Sequence, residues 1–149
     1  MDLVPHIRKR LEELLRGKYS DINLLNSSGG MGVIFKAMDT DLNVPRVIKV
    51  FPPGLALTEA ARKRFLDEAQ LQAGLSHANI VPVVNLLRDP QDPDFLAFIM
   101  PFISGESLAD RLERSPTKPL GLEQTVSIKR QVLLALDHAH RQKIIHRDI

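Results

Sequence analysis

The sequence predicts an α+β fold, a five-stranded antiparallel sheet with one packed helix followed by a helical part. Three observations point there. Between Tyr19 and Phe51, apolar residues alternate in three short runs separated by turn-rich stretches, the pattern of an antiparallel meander. Residues 58–75 and 122–142 repeat their apolar side chains at helical spacing. Two further apolar runs, 79–87 and 95–100, flank the turn Asp89-Pro90-Gln91-Asp92-Pro93-Asp94 and read as strands.

The first element is a helix over 5–16. Leu3, Ile7, Leu11 and Leu14 keep helical spacing, and Gly17 ends the run. Glu12 and Glu13 interrupt its basic character, so docking on its own domain is expected rather than on a membrane surface. Strands follow over 19–25, 33–38 and 44–51, the last closed by Pro52-Pro53. Helix 58–75 has Thr58 at its N-cap and Glu59 in its first turn, where the helix dipole favours a carboxylate. After the strands 79–87 and 95–100 come a short helix over 107–114 and a loop over 115–119. The long helix 122–142 carries Val126, Leu133, Leu136 and His140 on one stripe. Ile144-Ile145 opens a further apolar segment.

Composition excludes several classes. The chain has 149 residues, 44% of them hydrophobic, too many for a disordered tail. The absence of Cys removes disulfide frameworks, thiolate zinc sites and cysteine nucleophiles, and fits a reducing compartment. The net charge of +2 gives a pI near 9.1 because few groups titrate between neutrality and the lysines. Basic clusters at 8–10 and 141–147 are short and mixed with acids, so no nucleic-acid partner is expected. No stretch has the apolar length of a membrane span, and no signal-peptide core follows Met1, so a cytoplasmic location is the default.

Three features carry chemistry. The first is the glycine-rich stretch Asn26-Ser27-Ser28-Gly29-Gly30-Met31-Gly32, whose backbone amides could cradle a phosphate. A tight hairpin turn has the same composition. A strand rather than a helix follows it, and no Gly-Lys-Ser/Thr ends it, which excludes the Rossmann and Walker loops. What remains is a glycine loop between two strands, as in the phosphate-covering loop of protein kinases. The second is Lys49, which period-two alternation puts on one face with Val47 and Phe51. If that face is buried, the ammonium requires a carboxylate partner; if the strand lies at a sheet edge, Lys49 faces water. Glu68 is the natural partner, spaced with Phe65 and Leu71 on or beside the apolar stripe of helix 58–75. The third is His146-Arg147-Asp148, where a loop aspartate could orient or accept the proton of a substrate hydroxyl.

In order along the chain, these residues resemble a bacterial-type serine/threonine protein kinase domain. Residues 27–34 are similar to the family's Gly-x-Gly-Gly-Met-Gly-x-Val. The strand lysine lies in Arg46-Val47-Ile48-Lys49 and the helix glutamate in Phe65-Leu66-Asp67-Glu68-Ala69. His77-Ala78-Asn79-Ile80-Val81 resembles the family's His-Pro-Asn-Ile-Val, and the segment from Met100 to Leu108 resembles its hinge. Ala139-His140 and Ile145-His146-Arg147-Asp148-Ile149 resemble the end of its long helix and its catalytic loop. The resemblance runs from about Tyr19 and implies a kinase-like N-lobe at 19–100 and a hinge with the start of an incomplete C-lobe at 101–149, which leaves 1–18 as a helical extension.

It also implies roles. Lys49 would hold the α- and β-phosphates of ATP and pair with Glu68, and Asp148 would be the catalytic aspartate. The loop Asn26, Ser27, Ser28, Gly29, Gly30, Met31, Gly32 and Val33 would cover the phosphates. Ile34 and Val47 would pack on adenine, with Met100 as gatekeeper and the backbone of Pro101, Phe102 and Ile103 at the adenine edge. Ser27 departs from the family, standing where its first glycine usually is. The family's catalytic-loop Asn and its Asp-Phe-Gly motif, which hold Mg²⁺, fall outside these 149 residues. Phosphoryl transfer by this chain alone is therefore expected to be absent. The function implied is the ATP-binding portion of a kinase acting on protein Ser/Thr hydroxyls. The alternative is a noncatalytic, pseudokinase-like interaction module. In either case the apolar stripe of helix 122–142, left exposed, would support self-association.

Overall fold

The computed structural model describes residues 3–27, 32–51, 59–92, 94–114 and 120–145, with backbone alone at 61, 62, 64, 65, 68 and 71. Its elements are α1 (Leu3–Leu14), β1 (Tyr19–Asn26), β2 (Val33–Asp39), β3 (Val44–Val50), α2 (Glu59–Gly74), β4 (Asn85–Arg88), β5 (Leu96–Pro101), α3 (Leu108–Arg114) and α4 (Leu122–Arg141). The expected order of helices and strands holds. Thr58, Pro52-Pro53 and the loop 115–119 lie outside the described residues. Two compact units are present: Met1–Gly74 with Pro82–Phe102, and Leu75–Val81 with Ile103–Ile149.

The first unit is built on one antiparallel sheet in the order β1-β2-β3-β5-β4. Each turn has its own chemistry. Gly17, at φ +78, lets the chain leave α1, a conformation that a Cβ disfavours. Between β2 and β3, Asp39 Oδ1 accepts the Leu42 N–H at 3.1 Å, and Asn43 takes the left-handed conformation Asn tolerates. Register shifts interrupt the β1–β2 ladder on either side of Asn23–Leu24, next to Asp21 at φ +51.

Alternation along the central strands gives the sheet two different faces. On one, Val33, Phe35, Ala37, Ile48, Val50, Ala97 and Ile99 form a buried cluster with Ile7, Leu11 and Leu15 from the N-terminal segment. Full burial of each large aliphatic side chain contributes about 1.5–3 kcal/mol. This is why α1 docks on its own unit: its apolar stripe runs through Val4, Ile7, Leu11 and Leu14, while Leu3 stays exposed. The other face is covered in part by α2, whose Ala69 is buried with Leu96 and Phe98 while Leu66, Phe51 and Met100 pack around them. The sheet thus carries a helix on each face: α2 as the packed helix of the expected fold, and α1 docked on its own unit as its acidic residues led one to expect.

Polar contacts tie α1 to the β4–β5 turn. Arg10 Nε donates to Asp89 Oδ2, and the same guanidinium reaches Gln91 Oε1 at 3.3 Å and Glu13 Oε2 at 3.1 Å. Asp89 Oδ1 accepts the Gln91 N–H at 2.8 Å. Burial alone would push the Asp89 carboxyl up. The Gln91 N–H and the Arg10 guanidinium outweigh it, and the carboxyl sits below its ordinary value. A depressed folded value stabilises the fold above the unfolded value, near pH 4, and that contribution is lost as pH falls through the folded value. Asp89→Asn is therefore expected to lower the urea midpoint at pH 7. The gap to wild type should narrow progressively below about pH 4, since Asn cannot titrate. An equal gap at pH 7 and pH 2.5 would contradict this.

The predicted strand 79–87 is shorter than expected; only Asn85–Arg88 joins the sheet. The segment before it turns instead. Ile80 N–H donates to the His77 carbonyl at 3.1 Å, and Asn79 N–H donates to His77 Nδ1 at 3.1 Å. Pro82 then offers no N–H to a ladder. Residues 75–81 belong to the second unit, where Asn79 Nδ2 donates to Gln131 Oε1 at 2.9 Å and the His77 and His138 rings lie 5.2 Å apart. In the same unit, Ser107 caps α3. Its hydroxyl accepts the Asp110 N–H at 3.1 Å, and Asp110 Oδ2 accepts the Ser107 N–H at 3.2 Å. On α4, Leu122, Val126 and Leu133 are exposed, whereas Leu136 is half-buried.

Candidate functional site

β3 is a central strand, hydrogen-bonded to β2 on one side and β5 on the other. The edge-strand alternative for Lys49 therefore does not apply. Ile48 and Val50 point into the α1-side core, which leaves Val47 and Lys49 on the α2-side face, both half-buried. Register brings neighbours to them in two rows. Ile34, Lys49 and Phe98 lie side by side, as do Lys36, Val47 and Met100. The lysine nitrogen stands 5.3 Å from the Phe98 ring centroid, within cation–π range. Ile34, Val47, Lys49 and Met100, assigned to a nucleotide from sequence, are thus gathered on a single face.

The remaining assigned residues are placed less uniformly. Asn26 ends β1 opposite Ile34, and Ser27 follows it, exposed. Gly32 enters β2 at φ +105, a region that L side chains rarely adopt, so this position of the loop requires glycine. The Val33 side chain is buried in the α1-side core. Its expected part at a nucleotide site is corrected accordingly: only its backbone is available, because period-two alternation sends its side chain away from Ile34. Pro101 ends β5 opposite Arg46, Phe102 N–H donates to the Pro45 carbonyl at 3.3 Å, and Ile103 begins the second unit, exposed. Ser28, Gly29, Gly30, Met31 and Asp148 lie outside the described residues.

Glu68 lies in α2, one residue before the buried Ala69, on the helix that packs against the Lys49 face; its side chain is outside the description. Among the described residues, no three His, Asp or Glu side chains gather into a metal site. Two neighbours of the site were passed over in the sequence. Phe98 is fully buried beside Lys49, and Lys36 shares a face with Ile34. The alternation of β2 would have marked Lys36, since Ile34 and Lys36 are two apart.

The arrangement suits a planar base against apolar side chains with an anion near the lysine. Half-buried Ile34, Val47 and Met100 offer an apolar surface, and Lys49 supplies a cation one step along it.

Comparison with known proteins gives the family and the fold. Residues 26–149 match the family described as the protein kinase domain. The serine/threonine-protein kinase PknJ of Mycobacterium tuberculosis is 36% identical over 128 residues, which cover 86% of this chain and 21% of PknJ. The serine/threonine-protein kinase PknA of Corynebacterium glutamicum is 31% identical over 144 residues, 95% of this chain and 30% of that protein. The chain thus spans less than a third of the length of these relatives. Among solved structures, the Mycobacterium tuberculosis PknI kinase domain matches with a TM-score of 0.74 at 24% identity, covering 89% of this chain and 51% of the other. The fold is accordingly kinase-like, with the five-stranded sheet and its helix corresponding to an N-lobe. No described helix is long and apolar enough to cross a membrane. With the family matched over 26–149 and a lysine on the half-buried face of the central strand, the chain belongs to the protein kinase family, as a domain of the bacterial serine/threonine type.

Proposed function

We propose that these residues form the ATP-binding portion of an enzyme that transfers the γ-phosphate of ATP to Ser and Thr hydroxyls of proteins. The observation that carries this reading is the position of Lys49, central in the sheet between Ile34 and Phe98, with Val47 and Met100 in the next row. In this reading the apolar row receives the adenine, and Lys49 meets the α- and β-phosphates and pairs with Glu68. The loop from Asn26 to Gly32 brings amides over the phosphates, and Asp148 orients the acceptor hydroxyl. The companion cation would be Mg²⁺, which neutralises phosphate charge when bound; the family's Asn and Asp-Phe-Gly motifs that hold it do not occur among these 149 residues. The domain division proposed is a helical extension at 1–18, an N-lobe at 19–100, and a hinge with the start of the C-lobe from 101. In this reading the domain works where ATP and its protein substrates are, in the cytoplasm.

A second reading takes these residues as a noncatalytic interaction module. Leu122, Val126 and Leu133 of α4 are exposed, an apolar surface suited to self-association or to an interaction module without catalysis.

One titration tests the nucleotide binding that the first reading requires. A ligand bound only by the folded chain stabilises it by about 2.7 kcal/mol at a hundredfold excess over Kd. The Tm of the 149-residue chain is therefore expected to rise continuously with ATP, while labelled phosphate is not transferred to a generic protein substrate. An unchanged Tm at millimolar ATP would leave only the interaction module. Transfer abolished by Lys49→Met would overturn the proposed inactivity of this stretch alone.

A further inference from the structure

We infer that Lys36 is a positioning residue for the base end of the nucleotide site: its ammonium, held over the Phe102 ring, fixes the stretch of backbone that leaves β5. The inference rests on the ATP-binding reading above. Lys36 Nζ lies 4.1 Å from the centroid of the Phe102 ring. That is well inside the range of about 6 Å over which an aromatic face attracts a cation. The contact reaches across the sheet, because Lys36 pairs in register with Val47 and Val47 with Met100, two residues before Phe102.

The backbone at this point has few other ties. Pro101 forms with Arg46 the last, non-hydrogen-bonded pair of the β3–β5 ladder. Among the described residues, Phe102 N–H donates to the Pro45 carbonyl, and at 3.3 Å the bond is long. A long bond leaves the direction of the chain loosely set. The cation on the ring supplies a second point of attachment, and both groups are half-buried, where such a contact is stronger than in open water. Lys36 thus adds from β2 a second constraint at the end of β5. Its neighbours in the row, Val47 and Met100, are the side chains assigned to the base, so the effect of losing it falls on the base rather than on the phosphates.

The test uses the 149-residue chain with two probes, adenosine for the base end and inorganic triphosphate for the phosphate end. Lys36→Met keeps the length and apolar cover of the side chain and removes the cation; Lys36→Arg keeps a cation that stacks on aromatic faces. By calorimetry, adenosine affinity is expected to fall about three- to tenfold in Lys36→Met, in line with a half-buried cation–π contact. It should return in Lys36→Arg and fall no further when Lys36→Met is added to Phe102→Leu. Triphosphate affinity should stay at the wild-type level throughout. If wild type binds adenosine and Lys36→Met binds it equally well, this inference fails and the nucleotide reading stands. If wild type binds neither probe, the nucleotide reading fails and takes the inference with it. If Lys36→Met weakens both probes alike and Lys36→Arg restores neither, Lys36 supports folding alone, and the inference is overturned.

Discussion

Leu11→Ala is expected to destabilise the first unit by about 2–5 kcal/mol, although it lies wholly outside the family match at 26–149. Leu11 has no exposed surface and packs in one cluster with Phe35, Ile48 and Ile99. Truncation removes the transfer free energy of the lost atoms and leaves a cavity that the sheet cannot close, because β2, β3 and β5 fix its floor. Phe35→Ala, in the same cluster, should cost a similar amount, about 3–5 kcal/mol. Leu3→Ala is the control. Its side chain is 41% exposed, and the change should stay within about 0.5 kcal/mol. Urea denaturation followed by circular dichroism reads all three. A Leu11→Ala midpoint equal to that of Leu3→Ala would mean that α1 is an ornament on the sheet rather than part of its core.

Lys49→Met should lower ATP affinity about 10- to 100-fold while leaving adenosine affinity near the wild-type value. A charge-assisted hydrogen bond to phosphate contributes about 1.5–3 kcal/mol, and adenosine has no phosphate to lose it. Met preserves the length of the side chain, and Val47, Ile34 and Met100 stay in place, so the apolar surface offered to the base is unaltered. Parallel titrations with ATP and adenosine give the two affinities. An equal loss for both ligands would show that Lys49 supports the sheet rather than the phosphates. No loss for either would remove it from the site.

Much of this architecture is legible in the sequence because its determinants are local. The alternation of β2 fixes which side chains are buried, and the same alternation on β3 puts Lys49 opposite Ile48 and Val50. Turn residues such as Asn43 and Gly17 mark where strand and helix stop. Other features depend on partners distant in the chain. Nothing local says that β5 rather than β4 lies beside β3, the arrangement that makes β3 central and gives Lys49 its half-buried setting. Asn79 to Val81 reads as the start of a strand because Ile80 and Val81 are β-formers; the turn there is stabilised by His77 and by Gln131 on α4. The two helix-covered faces of the sheet follow from α1 meeting a sheet surface that no short window of sequence contains. The site was legible as residue types in order, and its two transverse rows were not, since they arise from the register between strands.

The strand order has a consequence for synthesis. β3 ends at Val50, and its partner β5 begins at Leu96. At about 5–20 residues per second, the ribosome leaves that edge of β3 without its neighbour for roughly 2–10 s. During this interval β1, β2 and β3 can already pair, but Ile48 and Val50 lack half of their eventual surroundings. An unpaired apolar edge is a template for wrong partners. The nascent chain is thus most vulnerable to aggregation while the residues between Val50 and Leu96 are being added, and α1, made before the strands, is available to cover the growing apolar face in the meantime.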